Sequence, residues 1–260
     1  METVTSKDNR ALKTARKLLT RKGREEAGAF LVEGRKLISE AASAGFQVER
    51  VFVNAGALLR GEAEAGQWAS EIVLEEKLFL GLAQTTSPQP FIAVARRPAR
   101  PVCAGGGLPE RVLVLDRISD PGNAGTMART ALASGIDMLW CVKGTADLFS
   151  DKAIRASAGA VFHLPAREGL SAGDCVSMAR DLGLKLVVCD AGGTDLYAAG
   201  LGGRIAIVIG NESNGAGSEF LDAAGAIVSI PMGKASESLN AAVAAAVVMY
   251  ESFRQRNVLN

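Results

Sequence analysis

A chain of 260 residues, 48% hydrophobic and 22% charged, has the composition of a soluble globular protein built as one large domain or two modest ones. Its net charge of +1 names no partner. The distribution is uneven, however: residues 1–36 hold ten Lys/Arg against five Asp/Glu, residues 37–110 six against eight, and residues 111–260 thirteen against fifteen. The basic N-terminus reads equally as a phosphate-binding surface and as a solvated helix face.

The totals exclude several classes. Cys103, Cys141, Cys175 and Cys189 are widely spaced, with no CxxC pair and no nearby histidine, which argues against disulfides and metal ligation. Cys141 and Cys189 lie in apolar runs and read as buried thiols. No stretch approaches the roughly 18 apolar residues of a membrane span. The start of the chain lacks the apolar core of a signal peptide, so a cytoplasmic protein is expected.

In chain order, "NRALKTARKLLTRKGREEAG" predicts a helix with Leu12, Ala15, Leu18 and Leu19 on one face and basic residues on the other. "AFLVEGRKLISEAASAG" predicts a short strand and a helix ending near Gly45, and "VERVFVN" and "FIAVARR" predict strands. The Pro- and Gly-rich "RPARPVCAGGGLPE" marks a domain boundary around residues 98–110. Residues 1–100 are thus expected to form one α/β domain, 101–110 a linker and 111–260 a second domain. In the second, strands "RVLVLD", "DMLWCV", "LKLVVCD", "RIAIVIG" and "AIVSIP" alternate with helices "AGTMARTALASG", "SDKAIRASAG", "SAGDCVSMARDLG" and "SEFLDAAG". A long last helix, "SESLNAAVAAAVVMYESFRQR", closes the chain. Continuous Val/Ile/Leu strands between helices predict a parallel sheet covered on both faces, with ligands beyond the strands' carboxyl ends.

Three loops follow strands there. In "DPGNAGTMART", Gly122 and Gly125 permit close backbone approach, and Asn123 and Arg129 can reach a phosphate or polar substrate, although a tight turn bearing a surface Arg would look the same. "IGNESNGAGSEF" has the G-x-x-x-x-G spacing of a phosphate loop, but Ala216 stands where the lysine belongs. In "IPMGKASESLNAAVAAAVV", Ser236 and Glu237 are candidate helix caps, and Asn240 sits just inside an apolar helix, where a buried amide needs partners. No G-x-G-x-x-G follows a strand and no G-x-S-x-G occurs. The single histidine, His163, reads as a strand-end residue.

Taken together, "LDRISDPGNAGTMARTALASG", "IVIGNESNGAGSEF" and "SIPMGKASESLNAAVAAAVVMYE" resemble motifs one, two and three of the SpoU family of the SPOUT superfamily, S-adenosylmethionine-dependent RNA 2′-O-ribose methyltransferases. The region before them is similar to the substrate-binding domain that precedes the catalytic one in many members. The resemblance implies a parallel-sheet α/β SPOUT catalytic domain with a C-terminal trefoil knot, preceded by a small α/β RNA-binding domain, and a homodimer through the knotted domain. It implies that Ile209, Gly210, Asn211, Ile230, Met232, Ser238 and Leu239 hold S-adenosylmethionine, and that Asn123, Arg129, Glu212, Ser238 and Asn240 serve catalysis. In that reading Glu212 positions Arg129, and Ser238 and Asn240 fix the ribose. Arg129 either takes the hydroxyl proton, which a guanidinium of pKa above ~12 does poorly, or grips the neighbouring phosphate. Lys13, Arg16, Lys17, Arg21, Lys22 and Arg35 are the expected RNA contacts. No metal or membrane is expected. Large-subunit rRNA leads over tRNA as substrate; an antibiotic-resistance methyltransferase and a non-catalytic ribosome-assembly factor with the same fold are the alternatives.

Overall fold

A computed structural model of the chain describes residues 3–97, 107–233 and 238–258. Most of the linker expected at 101–110, Cys103, and the candidate caps Ser236 and Glu237 lie outside the described residues. The chain divides into two compact units: residues 1–99 with 149–154, and residues 100–148 with 155–260.

The first unit is built from β1 (Thr3–Val4), α1 (Arg10–Lys17), α2 (Arg21–Ala27), β2 (Ala29–Glu33), α3 (Arg35–Ser43), β3 (Gln47–Asn54), α4 (Ala55–Leu59), β4 (Glu71–Leu74), α5 (Glu76–Leu80) and β5 (Phe91–Arg96). The strands form one mixed sheet in the order β1-β4-β3-β5-β2. The single N-terminal helix expected from periodicity is in fact two. Thr20 leaves helical geometry (φ −102°, ψ 148°), and its hydroxyl caps α2 by accepting from the Gly23 N–H at 3.1 Å. A side chain at Gly23 would run into the Lys17 carbonyl, so the sharp corner requires glycine. Arg24 is not on a solvated basic face. It is buried, and its Nη1 donates to the Leu18 carbonyl at 2.9 Å, satisfying the end of α1. Leu12, Ala15 and Leu18 pack with Leu31, Phe52, Leu74, Phe79 and Ile92.

The second unit holds β6 (Arg111–Leu115), α6 (Pro121–Ala133), β7 (Met138–Val142), β8 (Ala166–Leu170), α8 (Ala172–Asp181), β9 (Lys185–Asp195), β10 (Ile205–Ile209), α9 (Ser218–Asp222), β11 (Ala226–Ser229) and α10 (Ala241–Val258); α7 (Asp151–Ala156) falls between β7 and β8 in the chain. Its six strands are all parallel, in the order β11-β9-β10-β6-β7-β8. Strands β6, β7 and β10 are buried along their whole length, as a sheet covered on both faces requires. One face carries Val112, Val114, Trp140, Val188 and Val208 against Cys175, Ala179 and Phe220 of α8 and α9. On the other, α10 packs along α6, with Ala124, Ala128, Ala131, Ala245 and Val248 buried. β8, with its polar sequence "AREGL", carries no apolar run and is not legible as a strand. His163 is not at a strand end: it closes the short 3-10 turn Ala160–Phe162 and is exposed.

β9 runs farther than its apolar run suggests. β11 pairs with it twice, Ile227 beside Val188 and then Val228 beside Thr194, so residues 189–193 are extruded between the two pairings. Gly193 sits where a Cβ would meet the Ile227–Val228 backbone. This bulge lies beyond the carboxyl half of the sheet and shapes the site.

Candidate active site

Three chain segments meet past the ends of β6, β10 and β11. The first differs from the expected loop. Asp120 caps α6 by accepting from the Asn123 N–H at 2.8 Å, with Pro121 in the first turn, so "PGNAG" is already helix. Gly125 is buried within it and does not open backbone to a ligand. Asn123 therefore projects from the first turn. Arg129 stands on the exposed side of α6, with no hydrogen bond or ion pair among the described residues.

The second segment is a tight loop after β10. Asn211 and Gly215 exchange backbone hydrogen bonds of 3.1 and 2.9 Å, and the Asn211 Oδ1 accepts from the N–H groups of Ser213 and Asn214. A Cβ at Gly210 would collide with the Gly215–Ala216 backbone. The loop is held to the first segment at two points. Asn211 Nδ2 donates to the Arg117 carbonyl at 2.9 Å, and buried Asp116 accepts from the Gly217 N–H at 2.8 Å. Asp116 also receives Arg117 Nε and Nη2 at 2.8 and 2.9 Å, which raises the Arg117 pKa. Arg117 adopts this position with a left-handed φ of +59°.

In the third segment, Asn240 is neither buried nor inside the helix. It is exposed at the start of α10, and its Oδ1 accepts from the N–H groups of Ala242 (2.9 Å) and Val243 (3.3 Å). Capping consumes its acceptor and leaves its amide N–H₂, which donates to Asn123 Oδ1 at 3.1 Å. Asn123 Nδ2 in turn donates to Glu212 Oε1 at 2.8 Å. Glu212, Asn123 and Asn240 thus form one polar chain across the three segments. Glu212 engages Asn123 rather than Arg129. Ser238 is exposed just before α10.

Beside this chain lies a pocket of about 470 Å³, lined by Cys189, Asp190, Ala191, Ser229, Ile230, Pro231, Met232, Ser238, Leu239 and Ala244. Its size is that of a small-molecule site. Of the residues expected to hold the cofactor, Ile230, Met232, Ser238 and Leu239 are in this lining. Ile209, Gly210 and Asn211 stand at the end of the neighbouring strand and are not in the lining. Cys189, Asp190, Ala191 and Ser229 come from the β9 bulge and β11, and "CDAGG" after an apolar run at a parallel strand's end was the signal available for them. Cys189 is only half-buried; burial and the nearby Asp190 carboxylate push its thiol up to about 11. Met232 and Leu239 are each about 40% exposed, an apolar wall left open. The one charged group among the described lining residues is the Asp190 carboxylate. An apolar slot with an acid at its rim fits a ligand carrying a flat heterocycle and positive charge, as S-adenosylmethionine does.

The cations expected to meet RNA lie on the first unit. Lys13 pairs with Asp8 at 2.7 Å, Arg21 with Glu25 at 2.8 Å and Lys22 with Glu26 at 3.7 Å. Lys17 is exposed, Arg16 half-buried, and Arg35 lies over the Phe91 ring at 5.3 Å. No group of acidic, His or Cys side chains able to hold a metal occurs among the described residues, and no described helix is long and apolar enough to cross a membrane.

A parallel sheet with an open pocket past the ends of two strands and a polar chain at its lip defines an α/β enzyme domain that binds a small cofactor beside a polar substrate. The chain belongs to the SpoU rRNA methylase family, which matches residues 110–250, and an MRM3-like substrate binding domain matches residues 9–93. It is 30% identical, over 96% of its length and 98% of the relative, to the 23S rRNA (guanosine(2553)-2′-O)-methyltransferase RlmP of Bacillus subtilis strain 168. It is 31% identical to the 23S rRNA (uridine(2479)-2′-O)-methyltransferase of Streptomyces viridochromogenes, over 97% of this chain and 92% of that one. Among solved structures, it superposes with TM-score 0.82 on the SpoU methyltransferase AviRb of S. viridochromogenes in complex with AdoMet, at 31% identity over 96% of this chain and 98% of that one. An AdoMet-bound rRNA methyltransferase of Sinorhizobium meliloti gives TM-score 0.82 at 27% identity, over 97% of each chain.

Proposed function

We propose that the protein transfers the methyl group of S-adenosylmethionine to a ribose 2′-hydroxyl of RNA, and that its substrate is large-subunit rRNA. The observation that carries this reading is the Glu212–Asn123–Asn240 chain at the lip of the pocket, in a member of the SpoU rRNA methylase family. When bound, the cofactor supplies a methyl group activated by its sulfonium. Ile230, Met232 and Leu239 would hold its apolar part, and Asp190 would offset its positive charge. The protein's remaining work is to bring a ribose hydroxyl into line with that methyl group and hold it there.

Arg129 is free among the described residues to pair with the phosphate next to the target ribose, a charge-assisted contact suited to its planar guanidinium. Glu212 fixes the Asn123 amide, and Asn123 and Asn240 together set the polar edge against which the ribose rests, with Ser238 beside them. This assigns Arg129 to phosphate binding and positioning, since a guanidinium is a poor base. Family membership also supports a C-terminal trefoil knot in residues 111–260. A homodimer through the catalytic domain is supported by Val243 and Tyr250, about half exposed and two turns apart on one side of α10. Cys141, Cys175 and Cys189 are in no disulfide, which suits a cytoplasmic protein.

Incubation of purified protein with radiolabelled S-adenosylmethionine and protein-free rRNA tests the reading. Label is expected in large-subunit rRNA, at a ribose that resists alkaline cleavage. Label confined to tRNA would redirect the substrate assignment, and label in no RNA would overturn the activity.

A further inference from the structure

The first unit contains a second pocket, of about 620 Å³, between α1 and the beginning of β3. Its polar lining is Arg10 and Thr14 from α1 and Gln47, Glu49 and Arg50 from β3, with Phe52 and Val94 at its base. Glu49 is already engaged by Arg96, whose Nε lies 2.7 Å from its Oε1. Among the described residues neither Arg10 nor Arg50 has a carboxylate partner, so the pocket carries two uncompensated guanidinium groups.

Arg50 owes its place to a β-bulge. Pairing of β3 with β5 shifts register between Val48 and Arg50, so Arg50, not Glu49, falls opposite Val94. Being two residues before Phe52, it shares the sheet face that Phe52 presents to α1. A guanidinium is thereby set on the apolar, helix-covered face. Its Nε is enclosed and makes no hydrogen bond. An enclosed donor on a charged group without an acceptor is costly, and a second unpaired arginine in the same pocket adds repulsion. An anion entering between α1 and the bulge removes both penalties.

We propose that this pocket is an RNA phosphate site of the substrate-binding unit, with Arg10 and Arg50 on the phosphate oxygens and Thr14 beside them. The proposal rests on one part of the proposed function, that the protein's substrate is RNA. It differs from the charge-run expectation, because Lys13, Arg21 and Lys22 already hold neighbouring carboxylates while Arg10 and Arg50 do not. Arg10 and Thr14, one helical turn apart, give α1 a single ligand-facing edge.

The test compares wild type, Arg10→Gln and the Arg10→Gln/Arg50→Gln double variant, with melting temperature as the folding control. Binding to protein-free 23S rRNA is measured from 50 to 200 mM KCl. Loss of each phosphate contact lowers the slope of log affinity against log salt by about 0.7 to 0.9. We expect that flattening in Arg10→Gln, which removes only an exposed side chain, and at least as much in the double variant. A slope unchanged in Arg10→Gln overturns the proposal even if the double variant fails to fold. Uridine monophosphate that binds wild type as tightly as rRNA does would also overturn it, by assigning the pocket to a free nucleotide. Wild type that binds rRNA with the expected slopes but transfers no methyl group would sink the enzymatic reading and leave the phosphate site standing; wild type that binds no RNA overturns both.

Discussion

The carboxylate of Asp116 accepts a hydrogen bond from the backbone N–H of Gly217 at 2.8 Å, tying the end of β6 to the end of the loop that carries Glu212. Arg117 completes the latch by gripping the same carboxylate while its own carbonyl accepts from Asn211. The left-handed backbone at Arg117 is the conformational cost of turning that carbonyl toward the loop. Asp116→Ala leaves the Gly217 donor unsatisfied and should lower stability by about 1–3 kcal/mol. Asp116→Asn retains an acceptor for Gly217 but loses the charged grip on Arg117. Urea unfolding should therefore rank wild type above Asp116→Asn and Asp116→Ala last, with methyl transfer falling in the same order. Full activity in Asp116→Ala would show that the loop holds its place without the latch.

Arg129→Ala should abolish methyl transfer, reducing kcat/KM by at least a hundredfold, with cofactor affinity almost intact. Arg129 is exposed on α6 and does not line the pocket, so its removal takes nothing from the cofactor's wall. Calorimetric titration with S-adenosylmethionine checks this. Affinity lost in proportion to activity would place Arg129 on the cofactor instead.

What was legible in the sequence was what repeats. Apolar runs such as "VLVL" and "IAIVI" are parallel strands because only a sheet covered on both faces can hide them, and the first two motifs sit at their carboxyl ends. Short elements were not legible: β4 and α5, of four and five residues, have no room to show a period. The break at Thr20 was hidden because "RKGREEA" has too few apolar residues to show a period of its own, so its charges read as more of the same solvated face, although Thr20 itself is a good cap. The role of Asn240 was not legible because an amide amid alanines looks buried, whereas at the residue just before a helix its oxygen is a cap. Charge counting could not tell that Lys13, Arg21 and Lys22 face their own acids, since an acid four or five residues away along the chain is visible but its side-chain direction is not. The Arg50 site was invisible for the same reason, depending on a single-residue bulge.

Cys189 provides a pH-dependent probe of the pocket. Burial, reinforced by the negative charge of Asp190, pushes its thiol up to about 11, well above the usual 8.5 or so. Burial disfavours the charged thiolate, so the thiol stays neutral at pH 7 to 8 and its alkylation is slow. The rate of iodoacetamide modification should climb as pH rises toward 11, without the plateau near pH 9 of an ordinary cysteine. Cys189 lines the pocket, so S-adenosylmethionine should protect it at every pH. Peptide mass spectrometry after timed alkylation follows Cys189 separately from buried Cys141 and Cys175. Modification at equal rates with and without cofactor would place the cofactor elsewhere.

Asn240 performs two tasks through two different atoms, and substitutions can separate them. Its Oδ1 caps α10, while its Nδ2 donates to Asn123. Asn240→Asp keeps an oxygen for the Ala242 and Val243 N–H groups, and Asp is as good a cap as Asn. It removes the donor and sets a carboxylate against the Asn123 carbonyl, which then has to turn away and release its own amide from Glu212. Asn240→Ala removes the cap as well, at about 1 kcal/mol. Stability of Asn240→Asp should stay within about 0.5 kcal/mol of wild type, because cap and helix dipole are preserved. Its kcat should nevertheless fall at least tenfold, with KM for the cofactor little changed. If Asn240→Asp were as active as wild type while Asn240→Ala were not, the helix cap alone would account for Asn240, and the polar chain through Asn123 would play no part in aligning the ribose.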